Sequence, residues 1–180
     1  MQSIYFIRHG ASEANLAHLT AGQLDSPLSN QGRQQANKTG QELRKAGRRF
    51  DVIVSSTLSR SAETAQIIAD MIDYPYDHIV YSPDLCERFC GDFEGQPFED
   101  YKTTPEDVAA ATYHVESIQD LYVRAKKVAT WLETTYPGQE ILVVSHSGIG
   151  KMLRIVLSGS AATTFDKTRS LPNATVLQFR

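Results

Sequence analysis

Two short apolar runs, each ending in a histidine, constrain this chain more than any other feature. They are "IYFIRHG" (residues 4–10) and "ILVVSHSG" (residues 141–148), and in both a glycine follows the histidine within two residues. Four apolar residues are too few for a helix and suit a strand covered on both faces. Residues 52–54, 79–81 and 175–179 read the same way. Between these runs the apolar spacing changes to three and four. Ser29 offers a helix cap ahead of "NQGRQQANKTGQELRKAG", and Gly47 a stop. In "SRSAETAQIIADMI" the residues Ala62, Ala65, Ala69 and Ile72 share one face. The clearest helix covers 117–135, where Ile118, Leu121, Ala125, Val128 and Leu132 recur and Ser117 with Asp120 reads as a capping box. A last helix is expected over 147–157, closed by Gly159.

Strands alternating with helices predict an α/β fold, a three-layer α/β/α sandwich around a mainly parallel sheet. A length of 180 residues suits one domain over 1–180. Residues 95–116, polar and carrying two prolines, break the rhythm and read as a short insertion with a helical turn at 106–112.

In open parallel sheets ligands bind beyond the carboxyl ends of the strands. The residues found there are Arg8, His9 and Gly10 after the first run, "SSTLSR" ending in Arg60 after the second, and Ser145, His146, Ser147 and Gly148 after the fourth. If the strands are neighbours, two imidazoles and two guanidiniums meet at one edge. Guanidiniums match phosphate with paired donors. Glycines let backbone N–H groups approach an anion, and a helix starting near Ser147 would aim its positive end at the same place. These groups together point to a bound phosphate. A histidine among them points to nucleophilic catalysis: imidazole attacks phosphorus, arginines disperse the equatorial charge, and an acid protonates the leaving oxygen.

The bulk composition excludes other classes. The 18 Lys+Arg against 21 Asp+Glu give a net charge of −3, so no long-range attraction to nucleic acid or anionic lipid is expected. No apolar run approaches the ~20 residues of a membrane span, and no secretory signal is visible, so a cytoplasmic location is expected. Cys86 and Cys90 are too close in sequence for a useful disulfide. A metal half-site from these cysteines with His18, His78 or His114 lacks a second pair, so no metal is expected.

The motifs resemble a known family. "RHGASEAN" is similar to the signature of the histidine phosphatase superfamily, which includes the cofactor-dependent phosphoglycerate mutases. "DSPLSNQG" (25–32), "SSTLSRSAETA" (55–65), "LCERFCGDFEG" (85–95), "VVSHSG" and "LPNATV" resemble further family segments, in family order and across nearly the whole chain. The resemblance implies a phosphoglycerate mutase-like fold. It makes His9 the nucleophile that becomes phosphohistidine, surrounded by Arg8, Arg60 and His146. Glu87 would be the proton donor, and Asn15, the Ala21–Gly22 backbone and Ser147 would line the substrate side. It implies neither a metal nor another cofactor.

Mutases of this kind need extra cations for a doubly phosphorylated intermediate. Phe98 stands near where their lysine would fall, no arginine pair follows, and Lys102 is the only cation in a segment that carries Glu99, Asp100, Glu106 and Asp107. Hydrolysis of a small phosphomonoester is therefore the expectation, and the acidic insertion argues mildly against highly anionic substrates. The alternatives are mutase-type transfer, a protein phosphohistidine phosphatase, and a non-catalytic phosphate-binding regulatory module. Intact His9 and Glu87 weigh against the last. The expected partner is a small phosphorylated substrate; the oligomeric state stays open, a dimer being one option.

Overall fold

The computed structural model of the protein describes residues 2–180. Five strands form one sheet: β1 (Ser3–Arg8), β2 (Val52–Ser56), β3 (Val80–Ser82), β4 (Glu140–Ser145) and β5 (Val176–Gln178). They lie in the order β3-β2-β4-β1-β5. β1 runs parallel to β4, β4 to β2 and β2 to β3, and only β5 is antiparallel, against β1.

Alternate residues of the central strands point to opposite faces, and both faces are covered. Ile4, Phe6, Val54, Ile141 and Val143 pack with Val128, Ala129 and Leu132 of α6 (Ile118–Thr135) and Leu153 of α7 (Ser147–Leu157). Tyr5, Ile7, Ile53, Leu142 and Val144 pack with Leu43 of α2 (Asn30–Lys45) and Ala65, Ile68 and Ala69 of α3 (Ser59–Met71). The architecture is thus the expected α/β/α sandwich. Between α3 and the sheet the buried side chains are Arg60, Ser61, Thr64, Ala65, Ile68 and Ala69, so the first turn of that face is polar where alanines were expected to dominate.

The helix caps follow local chemistry. The Ser29 hydroxyl accepts from Gly32 N, and Gly47 takes a left-handed φ of 65° two residues past α2. Ser117 caps α6 by accepting from Asp120 N, but its hydroxyl donates to Asp120 Oδ2, so the reciprocal half of the expected capping box is missing. The complete box belongs to Ser12 and Asn15, opening the one-turn α1 (Glu13–Leu16) that the apolar pattern did not reveal. The 95–116 segment forms two short helices, α4 (Phe98–Thr103) and α5 (Glu106–Thr112), rather than one turn. Among the described residues no helix is long and apolar enough to cross a membrane.

Candidate active site

Strand register builds the floor of the site. Arg8 on β1 pairs with Ser145 on β4, so the next residues, His9 and His146, emerge side by side. His9 N donates to Ser145 O at 2.9 Å, and the two imidazole centroids lie 5.0 Å apart. β2 is the next strand over, and Ser61 at the start of α3 donates to Val144 O at 2.8 Å, which pins the helix start to the sheet end. Arg60 thereby comes beneath the same hollow. Its Nε approaches His9 Nε2 at 3.3 Å, while its two terminal nitrogens donate to Leu24 O and Gly22 O. Gly22 adopts φ 52° there, a conformation a side chain would strain.

The histidines are neutral and oriented. Burial, followed by the charges of Arg60 and Arg8, pushes His9 well below the ordinary imidazole range, against a smaller opposing contribution from the Gly10 carbonyl. His9 Nδ1 lies 2.6 Å from Gly10 O, and only a protonated Nδ1 can make that bond. Nε2 is then the unprotonated nitrogen and accepts from Arg60 Nε, and His9 lines the cavity. Burial, then Arg60, His9 and Arg8, likewise holds His146 low. Its Nε2 shares a 2.8 Å hydrogen bond with Ser56 Oγ. His146 is completely buried and lies beneath the cavity rather than on its surface.

Glu87 enters from the loop between β3 and α4. Its carboxylate accepts from Arg88 N at 2.8 Å, Gly148 N at 3.0 Å and Ile149 N at 3.2 Å, so the first turn of α7 holds it by backbone donors alone. Gly148 permits this: a Cβ there would sit 2.4 Å from Glu87 Oε1. The loop itself is clamped by Arg124 on α6. That guanidinium donates to Asp84 O, Cys86 O and Glu87 O at 2.9, 2.7 and 3.3 Å, and Glu116 holds it from behind at 2.9 and 2.7 Å.

Arg8, His9, Asn15, Ala21, Gly22, Arg60, Glu87 and Ser147 all line one cavity, so eight of the nine residues expected at the site meet at its surface. Three buried side-chain atoms lack a hydrogen-bond partner among the described residues: Arg8 Nε, Thr20 Oγ1 and His146 Nδ1. All three belong to this cavity or its floor. Buried polar atoms are normally satisfied, so this clustering marks a place built for a polar ligand.

The comparisons agree with this geometry. Residues 4–180 match the family model of the histidine phosphatase superfamily (branch 1). The chain belongs to that superfamily. The "Uncharacterized phosphatase PhoE" of Bacillus subtilis (strain 168) is 31% identical over 160 residues, covering 88% of this chain and 79% of that protein. A 2,3-bisphosphoglycerate-dependent phosphoglycerate mutase of Bartonella bacilliformis is 30% identical over 171 residues, covering 88% and 82%. Among solved structures, a phosphoserine phosphatase of Entamoeba histolytica in complex with 3-phosphoglyceric acid is 26% identical with a TM-score of 0.81, covering 99% of this chain and 90% of that one. The protein is an enzyme of the histidine phosphatase kind.

Within this histidine phosphatase the outer wall of the cavity differs from what the sequence suggested. Lys102 is exposed to Glu99, 3.2 Å away, and does not line the cavity. Lys151 and Lys167 do, with Arg88, Phe98, Tyr101 and Phe165. Glu99, Asp100, Glu106 and Asp107 of the insertion are not on the lining. Glu106 pairs with Arg88 and lies 3.9 Å from Lys167, leaving Glu87 as the acidic residue on the lining. His18, His78 and His114 are exposed and apart from the cavity, and both cysteines are free thiols.

Proposed function

We propose that the protein hydrolyses small phosphomonoesters through a phosphohistidine on His9. The observation that carries this reading is the unprotonated Nε2 of a neutral His9 beside Arg60, whose Nε donates to it at 3.3 Å, with Arg8 lining the same cavity. In the first step Nε2 attacks phosphorus and the ester P–O bond breaks. Glu87 delivers a proton to the departing alkoxide. Arg8 and Arg60 hold the equatorial oxygens, and His146 lies beneath them with Nδ1 unpartnered among the described residues. In the second step the Glu87 carboxylate takes a proton from water, the oxygen attacks phosphorus, and the P–N bond breaks. Phosphate leaves, and His9 is neutral again. Asn15, Ala21, Gly22 and Ser147 line the substrate side. Every proton and phosphoryl transfer in this scheme uses a side chain of the protein, so chelator should leave the rate unchanged.

Hydrolysis is favoured over mutase-type transfer because Phe98 occupies the wall and the insertion's lysine, Lys102, pairs with Glu99 off the lining, the cations of the wall being Lys151, Lys167 and the Glu106-paired Arg88. The free thiols of Cys86 and Cys90 suit a reducing compartment such as the cytoplasm. The test is His9→Ala assayed with p-nitrophenyl phosphate, together with acid-quenched enzyme probed for a labelled histidine. Turnover should fall by about 10⁴-fold or more and the acid-labile label should vanish. Retained turnover in a folded His9→Ala protein overturns the scheme. Efficient conversion of 3-phosphoglycerate to 2-phosphoglycerate in the presence of 2,3-bisphosphoglycerate would return the protein to the mutase reading.

A further inference from the structure

The segment 85–95 supplies Glu87 to the site, but its second glutamate, Glu94, does not line the cavity. Glu94 reaches the reaction centre through one peptide group. Its Oε1 accepts from Gln23 N at 2.7 Å and from Cys90 N at 3.1 Å. The N–H of Gln23 and the C=O of Gly22 belong to the same peptide unit. Such a unit is planar and, when trans, sends its hydrogen and its oxygen in opposite directions. Here the hydrogen goes to Glu94, and the oxygen accepts from a terminal nitrogen of Arg60 at 2.7 Å. The order across the loop is guanidinium, peptide dipole, carboxylate, and hydrogen bonds in such a row polarise one another. Gly22 makes room for it, because a Cβ there would run into Glu94 Oε1. The two loops do not need Glu94 to stay together: Thr20 N donates to Gln96 O at 2.8 Å and Gly95 N to Thr20 O at 2.7 Å. The carboxylate therefore adds orientation rather than attachment.

Arg60 is buried and makes no direct ion pair among the described residues. A guanidinium carries five N–H groups. His9 Nε2, Leu24 O and Gly22 O take one each, which leaves two for the oxygens of a phosphoryl group. A carboxylate placed directly on Arg60 would occupy those two donors. We propose that Glu94 is a positioning residue that acts through Arg60: it fixes the 22–23 peptide with its oxygen toward the guanidinium, and so aims the two remaining donors while its own charge stays off the phosphoryl site. This rests on the floor being that site. Burial lowers the Arg60 pKa, and Glu87, Asp25 and Glu94 are among the groups that oppose the shift. Asp25 serves a different atom set, since its Oδ1 accepts from Ser59 N and Ser59 Oγ at the start of α3.

The experiment is a double-mutant cycle between Glu94→Ala and Arg60→Ala, read by p-nitrophenyl phosphate turnover and by the affinity for orthovanadate, a mimic of the phosphoryl group. In the wild-type background Glu94→Ala should lower kcat/KM by about 10- to 100-fold, the cost of a misplaced catalytic group, and weaken vanadate binding by a similar factor. In the Arg60→Ala background the same change should alter either quantity by no more than about twofold, because the group it acts through is gone. Glu94→Gln keeps an oxygen for the Gln23 and Cys90 N–H groups and should stay within about threefold of wild type. Losses that add in the double variant, or a Glu94→Gln protein as impaired as Glu94→Ala, overturn the proposal. If Glu94→Ala does not fold, the cycle is run with Glu94→Asp, which keeps the charge and withdraws the oxygen from the peptide, and the same additivity decides. Failure of the proposal leaves the losses in His9→Ala and Arg60→Ala intact, whereas failure of the floor reading removes both.

Discussion

The floor and the outer wall of the cavity are built by opposite means. The floor is assembled from strand ends: Arg8 and His9 follow β1, His146 follows β4, and Arg60 opens the helix after β2. Each is placed by sheet register and a covered core, so its position is fixed as tightly as the fold itself. The wall is assembled from α4, α5 and the chain from 158 to 171, which hold one another through Glu106, Tyr101, Phe165 and a few backbone carbonyls. A small satellite cluster of Cys90, Phe93, Tyr101, Ala109 and Val115 supports this wall, separate from the two faces of the sheet. The contrast separates a floor fixed by the sheet from a wall fixed by short helices, with α7 contributing to both. Changes in the floor should harm every substrate alike, and changes in the wall should discriminate among them.

The strongest challenge to this division is Arg60→Ala. Removing one donor from a preorganised anion site costs about 10²–10³ in rate, and the loss should be the same for aryl and alkyl phosphates. A loss confined to one substrate would mean that Arg60 belongs to selection. Arg124→Gln tests the boundary, because Arg124 touches no substrate-facing surface and holds the Glu87 loop by three carbonyls. Glycerol 3-phosphate hydrolysis, which needs a proton on its leaving alkoxide, should fall by about tenfold. The p-nitrophenyl ester, whose leaving group departs unprotonated, should fall much less. Equal losses would reduce Arg124 to a stabilising role. The smallest effect belongs to Lys102→Ala. Its ion pair with Glu99 is exposed, worth about 0–1 kcal/mol, and neither kcat/KM nor the ratio of aryl to alkyl ester hydrolysis should move by more than about twofold. A larger change would place the insertion's own cation in the wall after all.

The same division explains what could be read from the sequence. The four-residue β-branched runs and the residues after them announce the floor, because a covered strand and its carboxyl end leave a local pattern. Ser29, Ser117 and Gly47 mark helix ends for equally local reasons. The strand order leaves no such mark, since the pairing of β1 with β4 joins residues more than a hundred positions apart. The wall is nearly silent. α4 is six residues long and starts after Pro97, too short to show a period. Lys151 sits in a helix whose apolar side dominates the pattern, and Lys167 and Phe165 lie in an irregular stretch. Arg124 was visible only as an arginine on a helix; its role needs the fold to bring the 84–87 carbonyls to it. Composition counts the charge of the insertion but does not show that Glu106 pairs with Arg88.

Leu171 ties the chain after 158 to the floor: its carbonyl accepts from Arg8 and its N–H donates to Ser147. The stretch before it, 159–170, is also held elsewhere: Phe165 packs under Arg88 and Lys151, Lys151 donates to Asp166 O, and Lys167 donates to Thr104 O. Exchanging that stretch among relatives, with Leu171 retained, offers a way to retune which ester is accepted while the phosphoryl chemistry carries on beneath.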